Sequence, residues 1–524
     1  MRCKGLFCRL GKRQGDKGLP VAQFTSAEWL ALLQHELLLL AAVFFAIGLI
    51  DELAIDLTYL WLRLTGRAKP MEVGGRGYFR QELSGMAAIF IPAWQEDAVI
   101  GPTLAHALSA WPQDDVRIYV GCYRNDAATI ASVAVAARSD ERIRVVIVGA
   151  DGPTSKAHCL NRLYRALCDD EARLCVKAHM VVLHDAEDMV DEAALVTLDR
   201  AIWHDDFIQL PVMALPQSDS PWIAGHYSDE FAESHAKAMV VRDALGVSVP
   251  GGGVGYAIRR PMLDELARLH EGEPFASASL TEDYELGQRI CAVGGTGRFL
   301  RARTPDGRLV ATRAFFPCDL SAALRQKTRW THGIALQGWD RLGWRGTVAE
   351  RWMTLRDRRG PLAALVLAIA YLLVLAAIVS QVSIAAGLVA TLEPSPILRG
   401  LLVFTMFGLV WRLAVRGLFT GREFGLKQGL IAVPRVLVSN VIAIMSGRRA
   451  LVAYWRSLRG APVVWDKTEH HDHPSLARPG QHSHDRGIGQ APWAAARVPV
   501  RAARRMDDAE AHDMGKSLAA GIAP

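Results

Sequence analysis

Cysteine is scarce in this chain: eight residues in 524, with no two in a C-x-x-C spacing. Cys3, Cys8, Cys122, Cys159, Cys168, Cys175, Cys291 and Cys318 are scattered, which argues against a disulfide-stapled secreted fold and fits free thiols in a reducing compartment. Charge is modest, at 22% of residues with a net +6. Much of the basic excess lies beside apolar runs, which suits anchoring at an anionic membrane face. No zinc-finger, helix-turn-helix or RNA-binding signature occurs, so nothing points to a nucleic-acid partner. There is no Walker loop either, because the glycine spacing before Lys156 is wrong.

The chain is too long for one compact domain. Residues 1–28 are basic and irregular. An apolar segment follows over 29–64, with Trp29 to Ile50 long enough to span a bilayer and Asp51, Glu52 and Asp56 interrupting it. No small-residue cleavage pattern marks it as a signal peptide. The bias across this segment is near balance: six Lys and Arg precede it, against Arg63, Arg67, Lys69, Arg76 and Arg80 after it.

Residues 80–345 read as a soluble α/β domain. Short apolar strands at Met86–Pro92, Val116–Cys122, Ile143–Val148 and Met180–His184 each end in a polar cluster, with helical stretches between them. The alternation predicts a mostly parallel, Rossmann-like sheet with helices on both faces. Ligands of such sheets bind beyond the carboxyl ends of the strands, so the polar clusters are the candidate site.

Membrane segments are expected over 361–446. Pro361–Leu392 carries no charge and Gly400–Trp411 begins a second apolar stretch. Arginines before the first and after the second place the α/β domain in the cytoplasm by the positive-inside rule. Gln428–Ser446 is amphipathic, with Pro434 and Arg435 midway, and predicts an interfacial or re-entrant helix. Residues 465–524 are rich in His, Pro, Gly, Ala and Arg and predict a disordered tail, its run Glu469–His473 solvated.

Five clusters in the α/β domain carry chemistry. Pro92-Ala93-Trp94-Gln95-Glu96 ends one strand in a carboxylate. Asn125-Asp126 follows another and, on its own, reads as a helix cap. Gly152-Pro153-Thr154-Ser155-Lys156 opens a helix whose amino terminus and lysine suit an anion. His184-Asp185-Ala186-Glu187-Asp188 puts three carboxylates at a strand end, where like charges need a compensating cation. Mg²⁺ is commonly held by one or two carboxylates plus substrate phosphates. Last come Thr281-Glu282-Asp283 and Gln326-x-x-Arg329-Trp330. A helix would bring Gln326, Arg329 and Trp330 to one face, with Arg for diphosphate oxygens and Trp for a sugar ring.

In this order, and followed by membrane segments, these clusters resemble the processive family 2 glycosyltransferases, which include cellulose and hyaluronan synthases. Val464-Trp465-Asp466-Lys467-Thr468 extends the likeness, which covers roughly residues 37–472. The resemblance implies a GT-A fold, Mg²⁺ or Mn²⁺, and inverting transfer from a UDP-sugar to a growing glycan acceptor in exopolysaccharide synthesis. It implies a multi-pass protein of a bacterial inner membrane, with an outer-membrane partner for export. Carried over by motif, Asp283 would be the general base beside Glu282. Glu96, Asp126, Lys156 and Asp185 would hold the donor, and Asp185, Glu187 and Asp188 the metal. Gln326, Arg329 and Trp330 would hold acceptor and diphosphate. Two departures weaken the match: the metal motif reads Asp-Ala-Glu, and Gly121-Cys122 stands where many relatives carry an Asp pair. The rival reading is a non-catalytic envelope scaffold, serving phage adsorption, with a decayed transferase site.

Overall fold

The computed structural model describes residues 26–75, 77–385, 394–461 and 473–476. A seven-stranded sheet forms its centre. The strands are β1 (Met86–Pro92), β2 (Val116–Tyr123), β3 (Ile143–Val148), β4 (Ala178–Leu183), β5 (Phe207–Gln209), β6 (Tyr256–Arg259) and β7 (Gly297–Phe299), in spatial order β3-β2-β1-β4-β6-β5-β7. All neighbours pair parallel except β6, which runs antiparallel to β4 and β5. The four strands expected from sequence are therefore present and parallel. His184 falls just outside its strand, in the loop that carries the carboxylates.

β1 is buried over Met86–Ile91, as central strands of parallel sheets are. Its alternate residues feed two cores. Ala87, Ile89 and Ile91 pack on one face against α2 (Ile100–Ala110) and α5 (Ala194–Ala201). Met86, Ala88 and Phe90 pack on the other against α4 (Lys156–Leu174) and α8 (Arg260–Leu269). The remaining helices of this domain are α3 (Ala127–Ser139), α6 (Ile223–Glu233), α7 (Met239–Ala244) and α9 (Glu282–Ala292). Then follow α10 (Leu320–Trp330), α11 (Gly338–Leu342) and α12 (Val348–Arg358).

Four helices among the described residues are long and apolar enough to cross a membrane. They are α1 (Ser26–Leu64), α13 (Gly360–Ala385), α14 (Pro396–Phe424) and α15 (Leu426–Leu458). α1 is one unbroken helix of 39 residues, so the acidic interruption does not end it. At about 1.5 Å per residue it outruns the roughly 30 Å apolar core of a bilayer. Its far end enters the α/β domain, where Ile55 and Asp56 are buried. Asp51 accepts from Trp352 of α12 at 2.6 Å, and Asp56 from Trp411 of α14 at 2.7 Å.

α15 is continuous through Pro434, longer than the interfacial segment expected. It is nevertheless tied to the α/β domain along its length. Arg435 is fully buried and donates to Asp229 (2.6 Å) and the Gly225 carbonyl (3.0 Å) of α6. Near the other end, the Tyr454 hydroxyl donates to Asp340 of α11 at 2.9 Å.

The basic amino-terminal segment and most of the expected tail lie outside the described residues. Within that tail Pro474–Leu476 form a 3₁₀ turn. His473 is not solvated: it is buried, with Nε2 3.4 Å from the Asp188 carbonyl and its ring 6.4 Å from His106. Those neighbours lie 285 residues or more earlier in the chain, at distances a local reading does not reach.

Candidate active site

A cavity of about 660 Å³ opens at the carboxyl ends of β1, β2 and β4. Of the eleven residues singled out from sequence, ten line it: Glu96, Lys156, Asp185, Glu187, Asp188, Glu282, Asp283, Gln326, Arg329 and Trp330. Asp126 is the exception. It caps α3, accepting from Thr129 N at 3.3 Å, and its other oxygen accepts from Gln95 N at 2.6 Å. Gln95 has a positive φ of 53°, and Glu96 N donates to Thr129 at 3.0 Å. Asp126 and Thr129 thus hold the strained turn that turns Glu96 into the cavity.

Ser155 caps α4 by accepting from His158 N, which sets Lys156 at the first helical position. Lys156 is largely buried, with Nζ 2.6 Å from Asp185 and 3.1 Å from the Gly253 carbonyl. Burial would lower its pKa, but Asp185, Glu282 and Asp283 outweigh that and raise it. The same arrangement acts in reverse on the carboxylates. Burial raises the Asp283 carboxyl, against the pull of Lys156 and Arg329. Burial and the Asp283 charge together raise Glu282.

Asp188 is buried, and its Oδ2 accepts from His184 Nδ1 (3.0 Å) and Asp185 N (2.9 Å). One of its oxygens therefore shapes the loop that presents Asp185. The Asp185 side chain keeps a third of its surface open. Among the described residues no group of three or more His, Cys, Asp or Glu is set to hold a metal ion. Two carboxylates at the cavity, Asp185 and Glu187, match instead an ion completed by substrate phosphates.

α10 is capped by Asp319, which accepts from Ala322 N at 2.9 Å. Gln326, Arg329 and Trp330 all face the cavity from it, as helical spacing predicts. The helix then widens into a π-helical segment, Thr331–Gln337, a feature common at functional sites. Trp330 sits edge-on to Tyr227, with ring centres 6.0 Å apart, inside an aromatic cluster with Phe231 and Phe316. Lys327 lies 4.8 Å over the Trp330 ring.

Several residues at the site carry no role in the sequence reading. Trp94 stands edge-on to Tyr123 at 5.2 Å, and a side chain on Gly152 would strike the Trp94 ring at 2.4 Å. Gly251 N donates to the Asp283 carbonyl at 3.2 Å, and a Cβ on Gly251 would come within 2.7 Å of that oxygen. Gly253, at φ +87°, supplies the carbonyl that holds Lys156. The signal was available: three consecutive glycines two residues before a strand.

Residues 85–333 match the sequence profile of the glycosyltransferase-like family 2. The sheet described above, mostly parallel with helices on both faces, agrees with the GT-A fold that the family resemblance implies. The chain is similar to bacteriophage adsorption protein B of Escherichia coli (strain K12), 31% identical over 476 residues. Bacteriophage N4 adsorption protein B of Escherichia coli O157:H7 matches equally, at 31% over 476 residues. The matched region is 86% of this chain, and the chain spans 63% of the length of these curated relatives. Among solved structures, the mannosyltransferase PcManGT from Pyrobaculum calidifontis, in complex with GDP-Man and Mn²⁺, aligns at 16% identity and a TM-score of 0.44. That alignment covers 75% of this chain and 98% of the mannosyltransferase.

Proposed function

We propose that this chain is a membrane-embedded, inverting glycosyltransferase that moves a sugar from a UDP-sugar to a growing glycan in exopolysaccharide synthesis. The observation that carries the reading is the convergence of Lys156, Asp185, Asp283 and the Gln326–Trp330 helix on one cavity beside the membrane helices. Asp283 takes the proton from the acceptor hydroxyl as that oxygen attacks the anomeric carbon. Attack opposite the departing diphosphate inverts the configuration. Arg329 and Lys156 stabilise the diphosphate charge as it develops. Asp185 and Glu187 would hold Mg²⁺ or Mn²⁺, which supplies further charge neutralisation. Trp330 and its aromatic neighbours offer a flat apolar face to an acceptor ring.

The distribution of arginines around 361–446 supports a catalytic domain on the cytoplasmic side of a bacterial inner membrane. Export of the product then requires an outer-membrane partner. The test is UDP release by the purified chain with Mg²⁺ or Mn²⁺ across a panel of UDP-sugars, beside Asp283→Asn. Release with one sugar, reduced about 10²–10⁴-fold in the variant, is the expected outcome. Equal release from both folded proteins across the panel would favour the scaffold reading.

A further inference from the structure

The first turn of α9 holds two of the site's carboxylates, Glu282 and Asp283, yet the side chain of its cap, Thr281, makes no capping hydrogen bond. Something else must fix it. One grip is the glycine loop: Gly251 N bonds the Asp283 carbonyl, and Gly287 lies against the Val249 carbonyl with no room for a side chain. The other grip comes from the membrane side. Tyr284, adjacent to Asp283, donates its hydroxyl to Asp357 of α12 at 2.9 Å. Asp357 in turn accepts from Arg242 Nη1 at 2.9 Å through each of its oxygens. Arg242 is 4% exposed and is itself fixed by donating to the Ser248 carbonyl at 2.6 Å. Glu350, two helical turns earlier on α12, accepts from Ser248 N at 2.9 Å.

α12 also faces α1. Trp352 bonds Asp51, and Arg356 and Arg359 pair with Asp51 and Glu52. A continuous chain of polar contacts therefore runs from a membrane-length helix through α12 to the residue beside Asp283.

We infer that Asp357 is a positioning residue for the Asp283 carboxylate, acting through Tyr284 and held in place by Arg242. This rests on the reading in which Asp283 takes the acceptor proton. A general base works only within hydrogen-bond reach of its proton, and a displacement of about 1 Å can cost 10²-fold in rate. The donor-side groups Lys156 and Asp185 sit on other elements, α4 and the loop after β4, so loosening α9 should leave donor binding alone.

The test uses the full chain in lipid nanodiscs, with UDP release read under saturating and limiting donor. Tyr284→Phe removes one hydroxyl and leaves the Arg242–Asp357 pair intact, so it keeps the fold. Asp357→Asn weakens both contacts. Expected are falls in kcat of roughly 3–10-fold for Tyr284→Phe and roughly 10–100-fold for Asp357→Asn, with donor KM within about twofold of the parent. The double variant should be no slower than Asp357→Asn alone, because Tyr284 acts through Asp357. Unchanged kcat in both folded single variants, a change confined to KM, or additive losses in the double variant would overturn the inference. Asp283→Asn separates the two levels. If it is inactive while the others match the parent, only the positioning role fails. If it keeps the parent rate, the base role fails and the inference with it.

Discussion

Lys156 is the residue on which the electrostatics of the site turns. It stands against Asp185 and within the field of Glu282 and Asp283, in a setting where isolated charges of either sign are costly. Burial raises the Asp283 carboxyl above its ordinary value, and Lys156 is the first group opposing that rise. A base must be ionised to act, so kcat should climb as pH rises through this raised value and be lost as pH falls below it. Lys156→Met removes the opposing cation. The acid limb of the kcat profile should then move to higher pH, with kcat lower by about 10²-fold from the lost contact to the leaving group. A pH–rate series on the two proteins checks this, and a limb that stays in place would remove Lys156 from the circuit.

Among elements, the turn at the end of β1 and the glycine loop before β6 do the positioning. Asp126 was implied by family resemblance to touch the donor, while the residues alone favoured a cap; its side chain caps α3 and does not line the cavity. Asp126→Ala should cost about 1 kcal/mol or more in stability. In a domain of this size that lowers Tm by roughly 2–4 °C per kcal/mol. Calorimetry read beside UDP titration decides the role: lost binding with unchanged Tm would restore donor contact. The glycine loop makes the opposite prediction. Gly251→Ala places a methyl 2.7 Å from the Asp283 carbonyl, so α9 must shift. Turnover should fall by about 10²-fold while donor KM holds.

At the scale of the whole molecule, charged contacts bind the membrane-length helices to the catalytic domain. Arg435 and Asp229 are both fully shielded, so removing one partner strands a buried charge. Arg435→Ala should cost about 3–5 kcal/mol, and the apolar double replacement Arg435→Met with Asp229→Leu should recover much of it. Thermal unfolding in detergent tests both. Orientation is open to chemistry as well. Cys175, Cys291 and Cys318 are exposed on the catalytic domain. With Cys3 and Cys8 replaced by Ser, a membrane-impermeant maleimide should label spheroplasts only after permeabilisation. Labelling of intact spheroplasts would place the domain outside.

The sequence by itself determined the parallel strands, the order of the motifs along them, and the apolar helices. Each is a local pattern, of period two or near 3.6, or a cluster at a strand end. It also implied ten residues that the fold does bring to one cavity. The tertiary structure alone decided what each touches there. Lys156 meets Asp185 across 29 positions, Tyr284 meets Asp357 across 73, and Trp352 meets Asp51 across 301. Such partners are chosen by how helices dock on the sheet, and no local periodicity encodes them. The same holds for Asp126, whose two readings, a cap from the residues and a donor contact from the resemblance, are separated by its geometry in favour of the cap, and for the glycines, whose value lies in the carbonyl they let approach.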